Sequence, residues 1–310
     1  MVQQKERISR ELTLIYHKEE DGIVLEEMDS RSAQVVIPEQ INGSPVVGIQ
    51  KKAFFNSRFL VSLTLPVTLK RIGDWAFAYC PKLIHVSLPR KEMELGKSLF
   101  LGSDKLEEIE LTATGQHAFA SEKEAKDIPA LLATAILLLD AEYLVSTVEA
   151  GSGEWLRKWD TRLLEIIRRS DMEGFTKQVL CGEEDYGSTD MGLYQNQRRK
   201  EKVQLCFTRL LHSWGISEET RQVLTEYLLA HTCGCEQDET WQMVKTEYAH
   251  KREYYEFFTD IGGLTSDNFD MALADLGERQ PELKAYLMRY KEEKLGYTDF
   301  FDSLSLDFEF

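Results

Sequence analysis

The chain has 310 residues, an apolar share of 43% and a net charge of −16. That length exceeds one typical domain and suits two, with enough apolar residues for ordinary cores. Residues 1–112 hold 15 Lys+Arg against 16 Asp+Glu and residues 113–310 hold 22 against 37, so the acidity belongs to the second part. A field of that sign repels phosphate backbones and argues against a nucleic-acid binder. It reads as a soluble surface, with an acidic patch for a basic partner as the functional alternative.

No apolar run approaches the roughly 20 residues of a membrane span. The opening Met1-Val-Gln-Gln-Lys-Glu-Arg-Ile-Ser-Arg10 lacks the apolar stretch of a secretory signal. The expectation is a cytoplasmic protein, or a secreted or surface one if a leader was trimmed. Cys80, Cys181, Cys206, Cys233 and Cys235 form an odd, sparse set, which favours reduced thiols over a disulfide framework.

Along the chain, residues 11–30 predict a hairpin: Leu12 to Tyr16, a turn at Glu20-Asp21-Gly22, then Ile23 to Leu25. It would cap the exposed end of the repeats that come after it. Ile49-Gln-Lys-Lys-Ala53-Phe54, Ile72-Gly-Asp-Trp-Ala76-Phe77 and Leu95-Gly-Lys-Ser-Leu99-Phe100 are three copies in phase. Each leads to an apolar ladder: Leu60, Leu63, Leu65; Leu83, Val86, Leu88; Leu106, Ile109, Leu111. A period in the twenties marks a solenoid whose units bury their apolar faces by stacking. Val35-Val-Ile37-Pro38 matches the ladder of the first copy, with the turn-rich Glu39–Pro45 inserted between.

Strand alternation sends Leu63, Leu65, Val86, Leu88, Ile109 and Leu111 inward. It sends Ser62, Thr64, His85, Ser87, Glu108 and Glu110 outward as one open candidate binding face. Phe54, Phe77 and Phe100 should form an internal aromatic stack. Cys80 takes the small position held by Ser57 and Ser103 and reads as structural.

The stretch from Ile37 to Pro89, with its Ile-Gly turn, Ala-Phe, small residue and Leu-Pro strand end, resembles the BspA-like class of bacterial leucine-rich repeats over about residues 35–111. Leu99 for Ala and Thr112 for Pro suggest that the third copy is terminal. The resemblance implies a protein-binding or adhesive solenoid with no catalytic residues to transfer. Many members are secreted, whereas this chain shows no signal.

After Thr112 the period changes. Ala113–Lys126 reads as a polar linker, followed by helices over 128–148, 155–169, 197–214, 217–231, 239–248, 252–261, 267–276 and 281–291. Ser217 sits at an N-cap, Gly277 at a stop and Pro281 at a first helical position. Arg162–Gly182 and Asn268–Lys291 are similar to ankyrin repeats, without their Thr-Pro-Leu-His opening. The predicted architecture is α+β: a leucine-rich repeat domain with its hairpin cap over 1–112, then an acidic all-helical, ankyrin-like domain over 113–310. The tail from Tyr297 to Phe310 alternates apolar and acidic residues and reads as a docking or partner-binding peptide.

Candidate chemistry is sparse. His231, Cys233 and Cys235 have ligand types, but three crowd into five residues where zinc wants four in a tetrahedron. A helix ending in His with two incidental thiols fits better, so no metal and no cofactor are expected. Glu183, Glu184, Asp185 and Asp190 lack the spacing of a calcium loop and read as a solvated loop. No Gly-x-Ser-x-Gly elbow, Walker loop or dinucleotide fingerprint is present. Arg198–Lys202 reads as a short basic patch explained without nucleic acid by helix solvation or by pairing with neighbouring carboxylates. Trp75, Tyr79, Tyr248, Tyr254, Tyr255, Phe257 and Phe258 read mostly as core, with one or two as exposed anchors. The functional expectation is a non-enzymatic protein-interaction module or scaffold with an unknown protein partner and an open oligomeric state. A surface adhesin and an enzyme or metal protein built on the helical half are the alternatives.

Overall fold

The structure, a computed structural model, describes residues 2–112, 118–139, 141–175 and 190–296. Cys181, the acidic stretch 183–189 and the tail 297–310 therefore lie outside the described residues. Two compact units divide the chain: Met1–Ile167 with His212–Ile216, and Arg168–Leu211 with Ser217–Phe310. The sequence period changes at Thr112, while the first unit runs on through two helices beyond it.

The first unit begins with β1 (Gln4–Arg7), β2 (Leu12–Glu19) and β3 (Gly22–Ser30), an antiparallel meander. β4 (Gln34–Val36) and the tight pair β5 (Gln40–Ile41) and β6 (Ser44–Ile49) come next. The coils then alternate between two sheets through β7 (Ser62–Thr64), β8 (Arg71–Ile72), β9 (His85–Pro89), β10 (Glu94–Leu95) and β11 (Glu108–Thr112). One sheet runs β1-β2-β3-β6-β8-β10 with β5 on β6; the other is a parallel sheet in the order β11-β9-β7-β4. β3 pairs in parallel with β6, and Gln50 N donates to Leu25 O at 2.7 Å, so the meander caps the first coil.

Three features make the coils stack. Phe54, Phe77 and Phe100 are 3% exposed or less, with ring centroids 5.5 and 5.4 Å apart. The small position carries a donor: Cys80 Sγ reaches Phe54 O at 3.3 Å, and Ser103 Oγ reaches Phe77 O at 2.9 Å. This is why Cys80 is buried, and burial pushes its thiol up. The Ile-Gly turn is a contact between backbones. A Cβ on Gly73 would sit 2.4 Å from Lys51 N, and one on Gly96 would sit 2.4 Å from Asp74 N. Only glycine fits where successive coils touch main chain to main chain.

The linker read over 113–126 ends early. α1 (Glu122–Leu137) starts where Ser121 Oγ accepts from Glu124 N at 3.1 Å, and the Glu124 carboxylate takes Ala120 N at 2.7 Å. The Ser121-x-x-Glu124 spacing is a capping-box signal that marks the start from sequence. α1 packs on β11, so a helix rather than another coil covers the last strand. A short 3₁₀ turn (Glu142–Leu144) and α2 (Gly153–Arg168) complete this unit. Trp159 Nε1 donates to Leu131 O and Trp155 Nε1 to Leu144 O, tying the helices together.

The second unit is helical: α3 (Met191–Leu211), α4 (Glu218–Ala230), α5 (Glu239–Thr246), α6 (Arg252–Asp260), α7 (Phe269–Leu276) and α8 (Pro281–Tyr290). Ser217 caps α4, Gly277 ends α7 and Pro281 opens α8, as their residue types require. Phe207 contacts Tyr248, Tyr254 and Phe257, and Trp241 stacks on Phe258, so these aromatics are core. Among the described residues no helix is long and apolar enough to cross a membrane.

Candidate functional site

The four-stranded sheet places the outward residues in register. Ser62 pairs with His85 and His85 with Glu108; Thr64 pairs with Ser87 and Ser87 with Glu110. β4 adds Gln34 beside Ser62 and Val36 beside Thr64. Two columns thus cross four strands: Gln34, Ser62, His85, Glu108 and Val36, Thr64, Ser87, Glu110. The inward column of Val35, Leu63, Val86 and Ile109 is at most 2% exposed, so the register is the one that alternation demands.

His85 ties the columns together. Its Nδ1 lies 3.2 Å from Ser62 Oγ and its Nε2 lies 3.7 Å from a Glu110 carboxylate oxygen. One imidazole therefore spans three coils. Glu108 and Glu110 on the edge strand are exposed, Ser62, Thr64 and His85 are half-buried, and Val36 at the opposite edge is 62% exposed. Ser87 departs from expectation: it is on the outward side yet only 3% exposed, with its hydroxyl 3.0 Å from Thr112 Oγ1. β9 is flanked on both sides, and the diagonal threonine of β11 closes over the serine. Ser87 therefore braces the sheet and offers no contact surface.

Alternation along the strands gives no sign of a second exposed region. On the turns, Lys52, Trp75 and Ser98 recur with φ of 62°, 54° and 51°, and Asn56, Tyr79 and Gly102 recur with φ of 56°, 56° and 66°. Left-handed backbone at a residue with a Cβ costs about 1–2 kcal/mol. Here it recurs wherever the chain bends to reach the next coil. These turns carry Phe55 and Tyr79, 41% and 49% exposed and in edge contact at 5.4 Å. Lys51 Nζ lies 4.4 Å from the Trp75 ring. Trp75 and Tyr79 are thus ridge residues and not core.

The candidate metal cluster is occupied by structural contacts. His231 Nδ1 is 2.8 Å from Tyr227 O, and its ring lies on Tyr227 at 4.4 Å. Cys233 is buried, its thiol pushed up to about 11 by that burial, while Cys235 is exposed. Cys233 O accepts from Asn268 Nδ2. Among the described residues no group of three or more His, Cys, Asp or Glu side chains is arranged to hold a metal ion.

The basic run on α3 resolves into ion pairs inside the helical unit. Arg199 bridges Asp171 and Glu239, both at 2.9 Å, and Lys202 Nζ sits 2.7 Å from Asp171. Burial raises the Asp171 carboxyl, but hydrogen bonds from Lys202 and Arg199 outweigh it and hold the group below its ordinary value. Asp190, the one described member of the acidic loop set, accepts from the backbone N–H groups of Gly192 and Leu193.

Residues 33–130 match the family model of the BspA type leucine-rich repeat region, in six copies. The repeats of the first part of the chain are similar to this type. The match stops at residue 130 and does not reach stretches 162–182 and 268–291, whose expected likeness to ankyrin repeats it leaves unsupported. The solenoid is also similar to two solved structures. One is a leucine-rich cell surface protein from Faecalibacterium prausnitzii A2-165, at 21% identity over 36% of this chain and 30% of that chain, TM-score 0.29. The other is a leucine-rich repeat protein from T. pallidum, at 24% identity over 32% of this chain and 61% of that chain, TM-score 0.26. The chain therefore spans less than two thirds of either. No curated protein sequence matches it.

Proposed function

We propose that this protein is a non-enzymatic interaction module that binds a partner protein through the outward face of its four-stranded sheet. The observation that supports this reading is the pair of side-chain columns in register across β4, β7, β9 and β11, with His85 bridging Ser62 and Glu110. Solenoids expose long surfaces of this kind and use them for partners. The face is graded in chemistry. Val36 presents an apolar contact at one edge, Ser62 and Thr64 offer hydrogen bonds in the middle, and Glu108 with Glu110 present two carboxylates at the other. The matching partner surface is basic at the β11 edge and apolar at the β4 edge.

Affinity capture from source-cell lysate at moderate salt tests this reading. The wild type is compared with the double variant Thr64→Arg, Glu110→Arg. Ser87 is left intact because an arginine there would unfold the sheet. A protein recovered by the wild type and lost by the folded variant is the expected result. Equal recovery by both would remove the strand face from the account.

A further inference from the structure

In the solenoid each turn donates backbone hydrogen bonds to the turn of the next coil at alternate residues. Lys52, Phe54 and Asn56 N–H groups donate to Asp74, Ala76 and Ala78 carbonyls at 3.0, 2.9 and 2.9 Å. Trp75, Phe77 and Tyr79 N–H groups donate to Lys97, Leu99 and Leu101 carbonyls at 3.0, 3.0 and 2.7 Å. The next donors in this series are Ser98, Phe100 and Gly102. None of these three amides has a hydrogen-bond partner among the described residues. All three line a cleft of about 450 Å³ whose opposite wall is the end of α1 and the segment leading to Val145. That volume lies in the range of clefts that take ligands. α1 covers the strand side of the last coil, and its turn side stays open along this cleft.

We propose that this cleft is a second binding site, separate from the strand face, which takes a short turn-forming segment of a partner protein as the next rung of the ladder. The earlier coils define the chemistry of the occupant. It offers three carbonyls at positions i, i+2 and i+4, as Asp74, Ala76 and Ala78 do, and it carries an apolar residue at the central rung, as Ala76 and Leu99 do. Recognition is by main chain, the mode used when a peptide adds to an exposed edge. An amide left unpaired in a cleft favours any such acceptor, because its alternative is incomplete solvation. The neighbouring side chains are of both signs, Lys97 lying 3.8 Å from Glu142, so charge does not select the segment.

The test uses the full chain and a capped peptide with the sequence of residues 73–79, the segment that fills this role one coil earlier. Without peptide, hydrogen exchange at Ser98, Phe100 and Gly102 should be fast relative to Trp75, Phe77 and Tyr79. On titration, the three amide resonances should move downfield together, saturate, and become protected. The variant Val145→Trp, which fills the cleft from the far wall, should lose at least about tenfold in affinity. If that variant fails to fold, Ile136→Trp takes its place on the same wall. No shift at millimolar peptide, shifts equal for a scrambled peptide, or undiminished binding by the folded filled variant would each overturn the proposal.

Discussion

The two compact units are held together by different physics. In the solenoid unit cohesion is repetitive and largely main chain: an aromatic stack, a donor at the small position, and amide-to-carbonyl rungs from turn to turn. In the helical unit it is singular and largely side chain: Phe207 among three aromatic rings, Trp241 against Phe258, and the Asp171–Arg199–Glu239–Lys202 network. A repeated contact leaves a mark every 23 residues, as between Ser62 and His85. A contact made once leaves none. The solenoid is consequently readable rung by rung, whereas the helical unit is readable only as a set of amphipathic helices.

Substitutions that strike one kind of cohesion and spare the other sharpen this contrast. The largest effect is expected at Phe77, fully buried between two rings. Phe77→Ala should cost about 3–5 kcal/mol in urea unfolding of the solenoid unit. A loss under about 1 kcal/mol, below the range for an emptied core site, would show that the stack is incidental.

In the helical unit the comparable strike is Glu239→Ala, which removes the buried partner of Arg199. It should cost about 1–3 kcal/mol, because the half-buried Arg199 loses one of its two carboxylates and keeps Asp171. The same network sets an acid limb. The Asp171 carboxyl is depressed in the folded state, so its stabilisation is full above the unfolded carboxyl value of about 4 and is lost as pH falls through the folded value. Asp171→Asn should lower stability at neutral pH and flatten its decline on acidification. An unchanged acid limb, measured by circular dichroism against pH, would show that other carboxylates set it.

Gly73→Ala tests the close approach of coils. Its Cβ would meet backbone 2.4 Å away, so a loss of about 1–3 kcal/mol is expected where exposed Gly-to-Ala changes are usually benign. Retention of full stability would mean that the coils stand far enough apart to admit a methyl group. The smallest effect is a gain: Ser98→Gly should relieve left-handed strain by about 1 kcal/mol, read as a higher urea midpoint.

The repeats, the inward ladder, the aromatic stack and the hairpin cap were legible because each follows from residue type at fixed spacing. Helix boundaries in the second part were legible where caps spoke, as at Ser217, Gly277 and Pro281. What escaped depends on three-dimensional neighbours. Ser87 is buried by a threonine that is diagonal to it in the sheet. Lys52, Trp75 and Ser98 adopt positive φ without being Gly or Asn, so their residue types give no warning. Among the described residues the amides of Ser98, Phe100 and Gly102 lack partners because a helix, and not a fourth stacked turn, comes after the third coil. Of the strand-face residues, five keep their outward, accessible placement and one does not.

The account stands most directly on where a partner touches the solenoid. Site-specific photo-crosslinking in source-cell lysate measures this, with a benzophenone side chain at Thr64 on the strand face or at Lys18 on the cap meander. The account predicts a discrete covalent adduct from Thr64 and none from Lys18. An adduct from Lys18 alone, or the same pattern from both positions, would contradict it.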